Sequence, residues 1–355
     1  MARYKKGKNG FYSTTVLLPT GKRKHISAKS ITELEARKQE LQTSYVLDES
    51  TRLADYAREW FAAYKSGTRH NTQSMYAYTL DSYIIPVLGE RKLCEIRPIH
   101  IQQLVNGLSD RPRTAQIALL TLRQIDKAAL RDHLIRDSFT NGIKAPKNSG
   151  KTEKRPLTRE EQEAVRNADF PPREKAFVYL LFGTGMRRGE ALGLQVNDFN
   201  LKEHTVTVSR TLIFDGNDGI IEDGPKTENG IRTIPVPASV WEPILAYLRI
   251  RSSEAGLQAP LFPGRVSKHI TEGLYRSMWK QILRCMKEAG ADCDGLTAHI
   301  FRHNYATRLY YSGLTMKKAV SLMGHADEKM LMEVYAHLDE DEEKTAQRLD
   351  QVMVL

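Results

Sequence analysis

Long apolar runs are missing from this chain of 355 residues. Nowhere do about 18 consecutive apolar residues occur, the length a membrane-spanning helix needs. The N-terminus "MARYKKGKNG" lacks the apolar stretch of a signal peptide. A cytoplasmic protein without a membrane partner is expected. Cysteine is scarce: Cys94, Cys285 and Cys293 are an odd three without C-x-x-C spacing, which argues against a disulfide framework and against a cysteine zinc site. Nucleotide signatures are missing as well. There is no G-K-[ST] of a P-loop, and the G-x-G-x-x-x-G of "GTGMRRG" is one residue too long for the dinucleotide fingerprint. The run before it, "AFVYLL", reads as helix instead of strand.

What the chain does have is positive charge, unevenly placed. Its formal net charge is +10, and residues 1–46 carry ten Lys and Arg against three Glu. Such a block reads as a nucleic-acid contact surface, with Lys5, Lys6, Lys8, Lys22, Arg23 and Lys24 as candidate DNA contacts. A solvated basic tail is the alternative, but the pattern predicts folded structure. "GFYSTTVLL" and "KRKHISA" read as strands around "PTG", and Ser30 with Glu33 form a capping box that opens a helix over "SITELEARKQELQTSYV".

Composition changes near "LDESTR" (47–52), after which helical spacing dominates to about residue 137. "NGIKAPKNSGKTEKRP" (141–156) has five basic residues and no apolar periodicity, so it reads as a linker. Thr158 and Glu161 form a second capping box. Beyond it the pattern is helical, interrupted by strands at "HTVTVSR", "GIIED" and "IRTIPVP" with turns at "DGND" and "KTENG".

One helix face in "LTAHIFRHNYATRLYYSG" would present His299, Arg302 and His303 at i, i+3 and i+4. Paired histidines at this spacing can bind zinc, yet Arg302 between them would repel a cation, and no H-E-x-x-H pattern is present. The face suits an anion, or else consists of histidines bonded internally in a core helix. The ordered series Arg187, Lys226, His299, Arg302, His325, Tyr335 decides the matter. With it the chain resembles the tyrosine recombinases, the family of lambda integrase and the Xer recombinases. "GTGMRRGEALGL" resembles their first-arginine box and "PKTENGIRTIPVP" their lysine hairpin. "TAHIFRHNYAT" resembles their His-x-x-Arg box, and "LMGHADEKMLMEVYAH" the closing His and nucleophilic Tyr.

The resemblance implies a mainly α, multidomain fold. A small strand–helix arm-type DNA-binding module (1–48) would precede a helical core-binding domain (49–140) and the linker (141–156). A mixed α+β catalytic domain, mostly helical with a small antiparallel sheet, would follow with its C-terminal tail (157–355). It implies Tyr335 as nucleophile, Arg187 and Arg302 as a clamp on the scissile phosphate, and His299 as base. Lys226 would be the acid and His325 a further phosphate donor, with Glu190 and His303 supporting and Arg188 a lesser DNA contact. It further implies double-stranded DNA with core and arm sites as partner, a homotetramer on DNA, no metal or ATP, and a bending protein or excisionase as possible accessory. An inactive DNA-binding regulator and a type IB topoisomerase are the alternatives. Asn304 departs from the family's usual hydroxyl residue.

Overall fold

The fold is that of a computed structural model, which describes residues 4, 6–7, 10–17, 23–43, 50–147, 155–223, 231–324, 329, 331–332 and 334. The architecture is mainly helical with small antiparallel sheets, and the chain separates at Lys151/Thr152 into two units.

The first unit begins with an antiparallel pair, β1 (Tyr12–Leu17) and β2 (Arg23–Ala28), in the register Thr14↔Ile26. Alternation along the strands turns Val16, Ile26 and Ala28 inward against Leu34 of α1 (Ile31–Thr43), so a very small core carries this module. Glu33 N–H donates to Ser30 Oγ at 3.1 Å, while the returning Glu33 carboxylate accepts from Lys29 N–H, one residue before the expected partner.

Helices α2 (Leu53–Lys65), α3 (His70–Thr79), α4 (Ile85–Leu88), α5 (Pro98–Asn106) and α6 (Pro112–Arg131) follow, sharing a core of Trp60, Tyr76, Ile84, Ile101, Leu119 and Ile125. The pattern over 71–89 predicts one helix. In the structure a π turn at Leu80–Ile84 joins α3 to α4, with Ile85 N–H donating to Leu80 O. Pro86 has no N–H to give to the preceding turn, so the hydrogen-bond ladder shifts register there. Buried Asp126 then collects Ser138 Oγ, Thr140 Oγ1 and Phe139 N–H at 2.5–2.9 Å, which pins the chain after α6. The stretch read as a linker starts inside this unit: Ile143 is buried in the helical core, and its carbonyl accepts from Arg123.

In the second unit, α7 (Arg159–Asn167) starts at the Thr158–Glu161 capping box, closed in both directions at 3.1 and 2.8 Å. The apolar run forms α8 (Pro172–Thr184), buried from Ala176 to Thr184; a helix apolar all round belongs in the middle of a core. It packs against α10 (Ala238–Ala255), α11 (Glu272–Glu288) and α12 (Ala298–Tyr311), with Phe177 edge-on to Phe262, Tyr275 and Trp279.

The β insertion is richer than its pattern predicts. "HTVTVSR" divides at Ser209 into β4 (Thr205–Val208) and β5 (Arg210–Asp215). β3 (Phe199–Asn200), β4 and β7 (Arg232–Pro235) make one sheet, and β5 pairs instead with β6 (Asp218–Asp223) across a two-residue turn at Gly216, where φ is +57°. α13 (Met316–Met323) is the last complete helix among the described residues. No helix among these residues is long and apolar enough to cross a membrane.

Candidate active site

The first-arginine box owes its shape to the end of α8. Gly185 closes that helix in the left-handed region at φ +60°, as a C-terminal cap requires, and a Cβ there would lie 2.3 Å from the Tyr305 ring. Met186 is buried, Arg187 is extended (φ −69°, ψ 150°), and α9 (Arg188–Leu192) begins at once. Gly189 lets α9 sit against β5, for a Cβ there would lie 2.6 Å from the Leu212 carbonyl oxygen.

Glu190 stands three residues beyond Arg187, the spacing at which a carboxylate returns to the N–H that opens a helix. Its Oε2 accepts from Arg187 N–H at 2.7 Å, and its Oε1 from Arg187 Nη1 at 2.8 Å. From the other side Arg232 of β7 donates Nη1 to Oε1 at 3.1 Å and Nη2 to Oε2 at 2.7 Å. Glu190 is 5% exposed. Burial pushes its carboxyl up, but the hydrogen bond and charge of Arg232 and the charges of Arg302 and Arg187 outweigh that and hold it at about 2. It is ionised at neutral pH and ringed by three guanidinium groups.

Arg302, on α12, is 1% exposed. Its Nη1 donates to Gly185 O at 2.6 Å and its Nη2 to Met323 O at the end of α13. The His-x-x-Arg helix is thereby tied to both neighbouring motifs. His299 is exposed on the first turn of α12, while His303 is buried beneath it. Their rings meet edge-to-face with centroids 4.7 Å apart, and Asn304 is buried alongside.

The structure thus brings Arg187 and Arg302 to the buried Glu190 carboxylate, while His299 and His303 pair with each other on the helix that carries Arg302. Lys226, His325 and Tyr335 lie outside the described residues. Arg188 lies elsewhere, its guanidinium over the Phe214 and Tyr275 rings at 5.5 and 5.0 Å, stacked on β5 and α11. Of the candidate arm contacts, Lys6, Arg23 and Lys24 are exposed around the β1–β2 pair, while Lys5, Lys8 and Lys22 lie outside the described residues. Arg232 was missed in the sequence. The signal was present in "IRTIPVP", where strand alternation puts Arg232 on the face of buried Ile234 and Val236.

Comparison with known proteins gives the family. Residues 158–342 match the model of the phage integrase family, and residues 52–109 match that of the phage integrase N-terminal SAM-like domain. The chain belongs to the phage integrase family. It is a tyrosine-type site-specific DNA recombinase. A XerC-like tyrosine recombinase of Caldanaerobacter subterraneus subsp. tengcongensis is 28% identical over 372 residues, covering 93% of this chain and 94% of that protein. The transposase from transposon Tn916 of Enterococcus faecalis is 24% identical over 291 residues, covering 78% and 71%. Among solved structures, the Tn1549 transposon integrase in complex with transposon right end DNA superposes with a TM-score of 0.72 at 19% identity, over 86% of this chain and all of that one. A lambda integrase dimer bound to a COC' core site gives 0.54 at 17% identity, over 94% and 95%. These likenesses in structure concern the fold.

Proposed function

We propose that this chain integrates or excises a mobile element by cutting and rejoining DNA through a covalent bond to Tyr335. The Tyr335 oxygen attacks the scissile phosphorus, the bond from phosphorus to the 5′-oxygen breaks, and a 3′-phosphotyrosyl link remains. His299 takes the tyrosine proton, and Lys226 gives one to the departing 5′-oxygen. Attack by another strand's 5′-hydroxyl reverses these steps on a new partner, so energy is kept in the ester bond and no hydrolysis intervenes. Arg187 presents its planar fork to the nonbridging oxygens, which gain charge in the transition state. Arg302 adds a second fixed cation, and His325 a further donor.

The observation that supports this reading best is the buried Glu190 carboxylate shared by Arg187 and Arg232 beside Arg302. Such a costly charge network is built to hold a guanidinium still, and an anion is what a fixed guanidinium recognises. The wider reading adds core and arm sites on duplex DNA, four protomers around two duplexes, and action on DNA in a bacterial cytoplasm. A bending protein or excisionase completes the assembly.

The test uses suicide duplexes carrying the sequences that flank the gene. The wild-type protein is expected to form a 3′-linked covalent adduct, and Tyr335→Phe to bind the same DNA and form none. An adduct with Tyr335→Phe would show that another residue is the nucleophile.

A further inference from the structure

The proposed chemistry leaves Arg232 without a part, although it is among the most constrained charges in the second unit. It is 8% exposed on β7, between exposed Ile231 and Thr233. A buried guanidinium persists only where its donors are taken up. Here Nε donates to Leu322 O at 2.9 Å, while Nη1 and Nη2 grip the two oxygens of Glu190. Leu322 and Met323 close α13, immediately before Gly324 and His325. Arg232 and Arg302 therefore take two consecutive carbonyls at the negative end of that helix. Gly324 passes close by, at φ +91°; a Cβ there would sit 3.4 Å from Arg232 Nη1.

We propose that Arg232 is a positioning residue for strand cleavage, holding Glu190 under Arg187 and fastening the end of α13, from which His325 and Tyr335 follow, to the first-arginine box. The inference rests on the proposed function and goes beyond it by adding a residue that acts through Glu190 and the end of α13. Its action is geometric. Both Glu190 oxygens are shared between Arg187 and Arg232, so the carboxylate cannot swing away without breaking the fork. Lysine has a single ammonium and cannot make both bonds to Glu190 and the bond to Leu322 in this planar arrangement.

The same geometry has an electrostatic consequence. Among the described residues, the charged groups facing Glu190 are Arg187 at the head of α9, Arg232 on β7 and Arg302 on α12, all cationic. Tyr305, whose hydroxyl is pushed up to about 12 by burial, stays neutral beside them. Without Arg232 the carboxyl keeps its burial but loses its strongest counterweight. Its pKa therefore moves up from about 2, and the carboxylate holds Arg187 less firmly.

The experiment measures single-turnover adduct formation on a suicide duplex by the full chain. Wild type, Arg232→Met, Arg232→Lys, Glu190→Gln and the Arg232→Met/Glu190→Gln pair are compared, with melting and DNA binding measured in parallel. Each rate is divided by the wild-type rate at the same pH, which cancels the titration of the reacting groups. The Arg232→Met ratio is expected to be at least about tenfold below one, and to fall further as the pH is lowered. The paired variant, having no carboxyl to protonate, is expected to keep a ratio that does not change with pH. Arg232→Lys is expected to melt near wild type yet cleave at least about tenfold more slowly. A folded Arg232→Met that cleaves at the wild-type rate overturns the proposal. So does an unfolded Arg232→Met beside an Arg232→Lys that folds and cleaves at the wild-type rate, for that assigns Arg232 to stability alone. A wild-type protein that forms no adduct sinks the proposed function and this inference with it. A wild-type adduct beside an Arg232→Met rate equal to wild type sinks this inference only.

Discussion

At the scale of single residues, the two motif arginines are held in unequal ways. The Arg187 side chain is 39% exposed and donates to Glu190, whereas Arg302 is enclosed and donates to two backbone carbonyls. Arg187 is therefore the more accessible of the two to a phosphate, and Arg302 the one that also holds the fold. Arg187→Ala is expected to lower the rate of adduct formation by roughly 10²–10³, as loss of a transition-state donor does. Its melting temperature should fall less than that of Arg302→Ala, since Arg232 still holds Glu190, and Arg187→Lys should recover little of the rate. Arg302→Ala is expected to lose both activity and stability; equal melting of the two alanine variants would contradict this division. Glu190 carries a pH signature. Its folded carboxyl sits at about 2, below its ordinary 4.5, so the stability it adds is complete above about 4.5 and is lost as pH falls toward 2. Breaking a buried ion pair costs roughly 3–5 kcal/mol. Glu190→Gln should therefore melt below wild type by a constant margin above about pH 5, and the margin should shrink with further acidification. Thermal melts from pH 7 to 3 measure this directly.

At the scale of elements, the site is assembled where helices end. α8 stops at Gly185, α9 starts at Arg187, α12 begins just before His299, and α13 ends at Met323. Helix ends leave backbone groups unbonded, and here the arginines take up the carbonyls of Gly185, Leu322 and Met323. Gly185 is the tightest of these junctions. Gly185→Ala would add the cost of a left-handed backbone, of order 1 kcal/mol, to a collision with the Tyr305 ring at 2.3 Å. Gly216→Ala isolates the first cost, since φ there is +57° but nothing lies within 4 Å of a Cβ. Gly185→Ala should lower the melting temperature clearly more than Gly216→Ala, and only the former should slow cleavage, because it displaces the carbonyl that Arg302 grips. Similar effects from both would mean that the ring contact relaxes without consequence.

At the scale of the whole molecule, charge and chemistry occupy different parts of the chain. Residues 1–46 hold much of the +10 net charge, and every proposed catalytic residue lies beyond residue 186. The N-terminal module keeps its own core of Val16, Ile26, Ala28 and Leu34. Removing residues 1–48 is expected to leave covalent cleavage of an isolated core site intact and to impair recombination between full attachment sites. DNA binding by the full chain should weaken more steeply with salt than binding by the truncated one, because each neutralised phosphate releases counterion. Equal salt slopes, or full recombination by the truncated protein, would remove the arm-binding role.

Local chemistry was legible without any structure. Alternation announced the β1–β2 pair, Thr158 with Glu161 announced a helix start, and an apolar run with a glycine after it announced a buried helix and its end. The order of the motifs carried the resemblance to the family. What the sequence left undecided depends on which elements meet. The division of "HTVTVSR" into strands of two separate sheets turns on a partner elsewhere in the chain, a choice that strand propensity does not encode. Arg232 reads as one more basic residue in a hairpin until the fold sets it against Glu190 and Leu322, 42 and 90 positions away. Burial made that charge consequential: an ion pair this remote in sequence acquires its strength only when tertiary packing excludes water from both partners.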